Sequence, residues 1–204
     1  METNILQSLL QQMPPAIEWW AVGLSVIYVV MAARNSAWCW PFAFISSCLW
    51  AWQVWFAYNL LFDAGLNIFY AVMAIWGLWL WWKTDGTTAE KPITSLTTKQ
   101  HMLLIGFGVS VSLLLGYIAS VTTTAAMSYL DALTTVFSVM ATFMLIERKI
   151  ENWIYLLVMD IIYVYLYIQR GSLIFAALFA VFCVLAILGY FSWKRIHRTQ
   201  LAQQ

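Results

Sequence analysis

Seven apolar runs, each about as long as a helix must be to cross a bilayer, follow one another along a chain of 204 residues. They cover roughly 17–33, 37–59, 65–82, 102–121, 129–146, 152–168 and 172–193. Lipid offers no partner to an open amide, so such runs must fold as helices that bond every N–H and C=O within the segment. Only 9% of the residues are charged and 63% are apolar, whereas a soluble domain is about a quarter charged. Most of the surface must therefore face lipid. A formal charge of +1 leaves no broad basic face for nucleic acid and no acidic tail.

Lysine and arginine set the orientation. Arg34 follows the first run, Lys83, Lys91 and Lys99 the third, Arg148 and Lys149 the fifth, and Lys194, Arg195 and Arg198 the seventh. With the N-terminus periplasmic these nine all lie on the cytoplasmic side, and Arg170 alone lies opposite. A missed or additional crossing would scramble that split. Ahead of the first run, Ile5, Leu6, Leu9, Leu10 and Met13 fall at helical spacing and Pro14-Pro15 stops them. Residues 1–16 are thus expected to form a periplasmic surface helix, and the lack of a positive residue before it argues against a cleaved signal peptide. The Thr- and Lys-rich stretch 83–101 reads as a cytoplasmic loop, and 194–204 as a cytoplasmic tail.

The chain also resembles itself at an offset of roughly 112 to 115 residues. Leu24-Ser25-Val26-Ile27 echoes Phe137-Ser138-Val139-Met140. Arg34-x-x-x-Trp38-x-Trp40 echoes Lys149-x-x-x-Trp153-x-Tyr155, and Gly77-x-x-x-Trp81 echoes Gly189-x-x-x-Trp193. Segments 17–82 and 129–193 are read as two three-helix bundles joined by a linker helix over 102–121. One added crossing makes the two triplets run in the same direction. Parallel repeats of this kind are a transporter plan that holds substrate near the midplane between them. Basic residues and tryptophan do recur at helix ends in any membrane protein.

No enzyme constellation is visible. His101 and His197 sit at helix edges, and there is no G-x-S-x-G, phosphate loop or closely spaced carboxylate pair. Cys39, Cys48 and Cys183 lie in apolar runs without C-x-x-C spacing and read as core residues. No metal or cofactor is expected. The informative residues are polar ones inside spans, because a carboxylate at the bilayer centre costs about 2.5–3.5 kcal/mol or more. Asp160 lies midway along the sixth run and shares a helix face with Trp153, Tyr163 and Tyr167. An acid among rings suits a flat cationic aromatic ligand, through stacking and cation–π attraction of about 0.5–2 kcal/mol; the alternative is a buried Asp bonding a neighbouring helix. Asp131, Thr135, Ser138 and Thr142, with Thr134 beside them, line the fifth run as a wet path or as helix glue. Ser46, Trp50 and Gln53 share a face of the second run, and Asn67 and Tyr70 lie on the third. Trp76, Trp79, Trp81 and Trp82 read as an aromatic belt, and Glu18 and Glu147 as interfacial.

These residues resemble the PnuC-type vitamin transporters, whose best-known members carry nicotinamide riboside. The resemblance covers about residues 18–195. It is strongest from Tyr129-Leu130-Asp131-Ala132-Leu133-Thr134-Thr135 through Glu147-Arg148-Lys149-Ile150-Glu151-Asn152-Trp153 to Asp160, and closes with Gly189-Tyr190-Phe191-Ser192-Trp193. Tyr70 and Trp76-Gly77-Leu78-Trp79-Leu80-Trp81 match the family's Tyr-Gly-Trp-Tyr-x-Trp pattern, with Leu78 where Trp is common. Leu156 replaces the second Trp of the family's Trp-x-x-Trp after Trp153. The resemblance implies an all-α integral membrane fold with seven transmembrane helices in a 3+1+3 order, similar to the SWEET-type sugar transporters. It implies a homotrimer in the bacterial inner membrane, facilitated diffusion of an unphosphorylated vitamin, and trapping by a cytoplasmic vitamin kinase. The expected substrate-binding residues are Asp160, Trp153, Tyr163, Tyr167, Gln53, Trp50, Asn67, Tyr70, Thr135 and Ser138. Asn is frequent in nicotinamide riboside carriers where this chain has Asp160, which tilts the sequence reading to thiamine, with nicotinamide riboside and then riboflavin behind it. A proton-coupled carrier and a non-transporting membrane assembly protein are the rival readings.

Overall fold

The computed structural model describes residues 16–56, 61–84, 91–122, 128–169, 171 and 173–203. The surface helix expected over 1–16 falls, but for residue 16, outside them. Each apolar run is a helix: α1 (Ala16–Ala33), α2 (Cys39–Phe56), α3 (Leu61–Thr84), α4 (Thr98–Thr122), α5 (Ser128–Ile146), α6 (Asn152–Gln169) and α7 (Leu173–Ala202). Among the described residues, six of these are long and apolar enough to cross a membrane. The exception is α2, which is as long as α1 but carries Pro41, Ser46, Ser47 and Gln53.

The chain divides into two compact units, Met1–Lys91 with Ser172–Ile174, and Pro92–Gly171 with Phe175–Gln204. In the first, α2 packs on both α1 and α3; in the second, α5 packs on both α4 and α6. The helix read as a linker, α4, therefore packs within the second unit. Its contact face is small: Gly108, Ser112 and Gly116 are buried four residues apart. Phe137 and Tyr129 of α5 approach so closely that a Cβ at Gly108 or Gly116 would stand 2.7 or 2.5 Å from a ring carbon. Spaced small residues let helix backbones come together where lipid supplies no hydrophobic drive.

The same joint is built once in each unit. α1 and α5 both end on a left-handed residue, Asn35 (φ 55°) and Arg148 (φ 54°). The amides of Ser36 and Lys149 donate to the carbonyls of Met31 at 3.1 Å and Met144 at 2.8 Å, and those of Asn35 and Arg148 to Ala32 at 2.9 Å and Leu145 at 3.0 Å. This is the double bond pattern of a Schellman turn. Five residues on comes a buried indole. Trp40 lies over Gly77 and meets Trp81 edge-on, centroids 5.4 Å apart at 89°. Trp153 lies over Gly189 and meets Trp193 edge-on at 5.7 Å and 85°. Trp40 thus corresponds to Trp153, which corrects the sequence pairing of Trp38 with Trp153 by two residues. Trp38 is exposed instead and rests edge-on against Trp82.

Two expectations at the polar end of the second unit also change. The end of the stretch read as a loop is pinned: Ile93 is fully buried, and Thr94 bridges to the α5–α6 turn, its amide donating to Arg148 O and its carbonyl accepting from the Ile150 amide, both at 3.0 Å. α7 does not stop at 193 but runs on through the expected tail. Its last turns are held because Gln200 Oε1 accepts from the Ile93 amide at 3.1 Å and His197 Nδ1 meets the Ile93 carbonyl at 2.6 Å. His101, which the sequence places at a helix edge, bonds the Tyr155 hydroxyl at 3.1 Å and stacks on its ring.

A Cβ added at Gly77 or Gly189 would stand 2.6 or 2.5 Å from an indole carbon, and overpacking costs about 1–3 kcal/mol. Gly77→Ala and Gly189→Ala should each lower the unfolding temperature of the detergent-purified protein. Gly23→Ala, where nothing lies within 4 Å, should not lower it. Equal stability of all three variants would overturn the indole-on-glycine joint.

Candidate functional site

Helix α6 has two sides. Ile154, Val158, Ile161, Tyr165 and Ile168 are exposed and form one apolar, lipid-facing stripe. Asp160 sits about 120° round the helix from the middle of that stripe, at 100° per residue. It is half-buried on the side that also carries Tyr163 and Tyr167. A carboxylate turned away from acyl chains is what its solvation cost demands.

Around Asp160 the second unit gathers polar and aromatic groups. Asp160 lies within electrostatic reach of Tyr163 and of Cys183 on α7. The Tyr163 phenol faces the hydroxyls of Thr134 and Ser138 on α5. The rings of α6 stack on those of α7: Tyr163 on Phe179 at 4.6 Å, and Tyr167 between Phe175 at 5.3 Å and Phe179 at 5.4 Å. Their planes lie within 15–29° of parallel, so Phe175, Tyr167, Phe179 and Tyr163 make a continuous pile. Sequence reasoning missed Phe175 and Phe179. Their four-residue spacing on the seventh run was the available signal.

The polar line on α5 is only partly open. Thr142 Oγ1 donates to the Ser138 carbonyl at 2.9 Å, and Thr134 Oγ1 lies 3.0 Å from the Leu130 and Asp131 carbonyls. Those hydroxyls serve their own helix. Thr135 and Ser138 are half-buried. Trp153 stands apart from the Asp160 group, two turns or about 10 Å along the axis. With 1% of its surface exposed, it is packed into the Gly189–Trp193 joint and presents no open ring to a solute in this structure.

In the first unit Gln53 is spoken for. Its Nε2 donates to Glu18 Oε1 at 3.1 Å, tying α2 to α1. Glu18, read as interfacial, is 1% exposed; its place in the first turn of α1 favours an acid through the helix dipole. The Ser25 and Ser46 hydroxyls sit 2.6 Å apart and within 3.0 Å of the Ala21 carbonyl. Trp50, Asn67 and Tyr70 are half-buried. Among the described residues no group of three His, Cys, Asp or Glu is placed to hold a metal ion.

Removing the Gln53 amide takes a donor from a buried carboxylate, which costs about 1–3 kcal/mol. Gln53→Leu should lower the unfolding temperature, and Gln53→Leu combined with Glu18→Leu should recover part of the loss. No change in the single variant would contradict the bond.

Residues 15–195 match the family described as nicotinamide mononucleotide transporter. A solved structure described as the crystal structure of the vitamin B3 transporter PnuC superposes with a TM-score of 0.72, covering 90% of this chain and 82% of that one. The identity is 23%, so the likeness is one of fold. No curated protein matches.

Proposed function

Since the chain belongs to the nicotinamide mononucleotide transporter family, a family of transporters and not of enzymes, we propose that it carries nicotinamide riboside across the membrane by facilitated diffusion. The observation that carries this reading is Asp160, an acid set off the lipid-facing stripe of α6 beside stacked rings. A pyridinium ring is flat and cationic, so it gains from both an anion and π faces in a low dielectric. The phosphorylated nucleotide fits less well. All ten Lys and Arg lie at or beyond the ends of the apolar runs, so no cation is available inside a span to pair with a phosphate, and Asp160 repels it.

Thiamine is also a flat cation, and Asp160 alone does not separate the two. The family's description and the name of the structural neighbour both point to nicotinamide chemistry, which sets aside the preference for thiamine drawn from the sequence. The residues proposed to meet the solute in the second unit are Asp160, Tyr163, Tyr167, Thr135 and Ser138. The reading carries with it seven crossings in 3+1+3 order, with α2 included, in a bacterial inner membrane, the N-terminus periplasmic and the C-terminus cytoplasmic. The assembly proposed is a homotrimer. A passive carrier only equilibrates its solute, so a cytoplasmic kinase that phosphorylates the riboside is the proposed source of net uptake.

In proteoliposomes, labelled nicotinamide riboside should equilibrate with the lumen whether or not a pH gradient is imposed, while the mononucleotide stays out. Asp160→Leu, which removes both the charge and the acceptor, should weaken riboside binding about tenfold or more, the worth of a hydrogen bond to a charged group. Thiamine flux without riboside flux would sink the reading, and uptake that tracks the pH gradient would replace facilitated diffusion with proton coupling.

A further inference from the structure

Helix α7 is 30 residues long, about 45 Å at 1.5 Å per residue, whereas the hydrocarbon core is about 30 Å thick. Counted from Leu173, a crossing of about 20 residues ends near Trp193 and Lys194, so the last turns stand in the headgroup layer. At that level a cleft opens within the second unit, between the start of α6 and the end of α7. Ile150, Ile154 and Tyr190 form its apolar walls, and Lys194, His197 and Arg198 its basic side.

The floor is Ser95 and Glu151. The Glu151 carboxylate is buried and accepts a hydrogen bond from Ser95 on Oε1, while Oε2 is buried with no hydrogen-bond partner. Glu151 cancels one of the two permanent positive charges, leaving a net charge of about +1 at the mouth. The Ile93 carbonyl can only accept, so His197 Nδ1 donates to it at 2.6 Å; only Nε2 is left for a ligand. Lys194 lies 5.4 Å over the Tyr190 ring, at the depth where aromatic and basic side chains anchor a helix to the interface. Below the cleft, the exposed apolar stripe of α6 leads from Ile154 into the hydrocarbon region.

A weakly positive mouth, apolar walls and an apolar track running into lipid fit a singly charged phosphodiester that carries acyl chains. We infer that this cleft holds the headgroup of an anionic phospholipid, its phosphate at Lys194 and Arg198 and an acyl chain along the Ile154 stripe. Basic pockets at the ends of membrane helices recognise lipid headgroups on these terms. A free phosphate ester shares the charged end and lacks the chain, so the two sources can be told apart.

The test is retention of phosphatidylglycerol and phosphatidylcholine by the detergent-purified full chain, read by native mass spectrometry. Phosphatidylglycerol should be retained preferentially. Lys194→Gln and Arg198→Gln should each weaken that retention about fivefold, since a basic residue at the surface contributes about 1 kcal/mol. Lys83→Gln, a basic residue outside the cleft, should leave it unchanged. Three results would overturn the site: equal retention of both lipids, an equal loss in Lys83→Gln, or displacement of the lipid by millimolar glycerol phosphate, which would assign the cleft to a free phosphate ester.

Discussion

Lipid offers helices nothing to push them together, so close contact between backbones has to hold them, and in this chain that contact is an indole laid on a glycine. Trp40 on Gly77 and Trp153 on Gly189 bring a ring within reach of bare backbone, and each is locked edge-on by a second tryptophan one turn along. The joint works only if the ring arrives at the right height, and the Schellman turn five residues earlier sets that height. Asn tolerates left-handed backbone comparatively well and Arg less so. Arg148 nevertheless takes the position and is wholly buried there. Both indole N–H groups are buried without a hydrogen-bond partner, a cost of order 1 kcal/mol or more each that the packing has to offset.

Once the helices are joined, the polar residues inside them sort by whether a partner lies in reach. Ser25, Ser46 and the Ala21 carbonyl satisfy one another; Gln53 bonds one oxygen of Glu18; Thr134 and Thr142 turn back to their own helix. These groups hold the fold. The Asp160 carboxylate makes no hydrogen bond to another described residue and lies beside a ring pile contributed by α6 and α7. A cation arriving beside it, as proposed, would offset the cost of its charge in lipid. The piled rings already occupy one another's faces, so a flat solute would have to take the place of a ring or stand at the end of the pile.

Charges gathered at the helix ends do two jobs. Their one-sided placement is what the proposed orientation rests on. In the second unit they also fasten the polar segment before α4, with Lys149 Nζ donating to Thr94 Oγ1 at 2.8 Å and His197 holding Ile93. A segment tied this way shields the buried Arg148 and Glu151 and shapes the lipid-facing cleft beside them.

The helices were legible in the sequence because one physical rule governs them: an apolar run in lipid must bond its own backbone, and its length must match the bilayer. Run positions, the basic end residues and the echo of Gly77-x-x-x-Trp81 in Gly189-x-x-x-Trp193 follow from that rule and from local spacing. Roles that depend on a partner from another helix did not. Gln53 and Trp153 carry the same residue types whether they face a solute or a neighbouring helix. Only packing decided that one bonds Glu18 and the other lies on Gly189. The offset of the repeat at Trp40 was hidden for the same reason, since Trp38 and Trp40 look alike until a left-handed turn sends one into the core and the other to the surface.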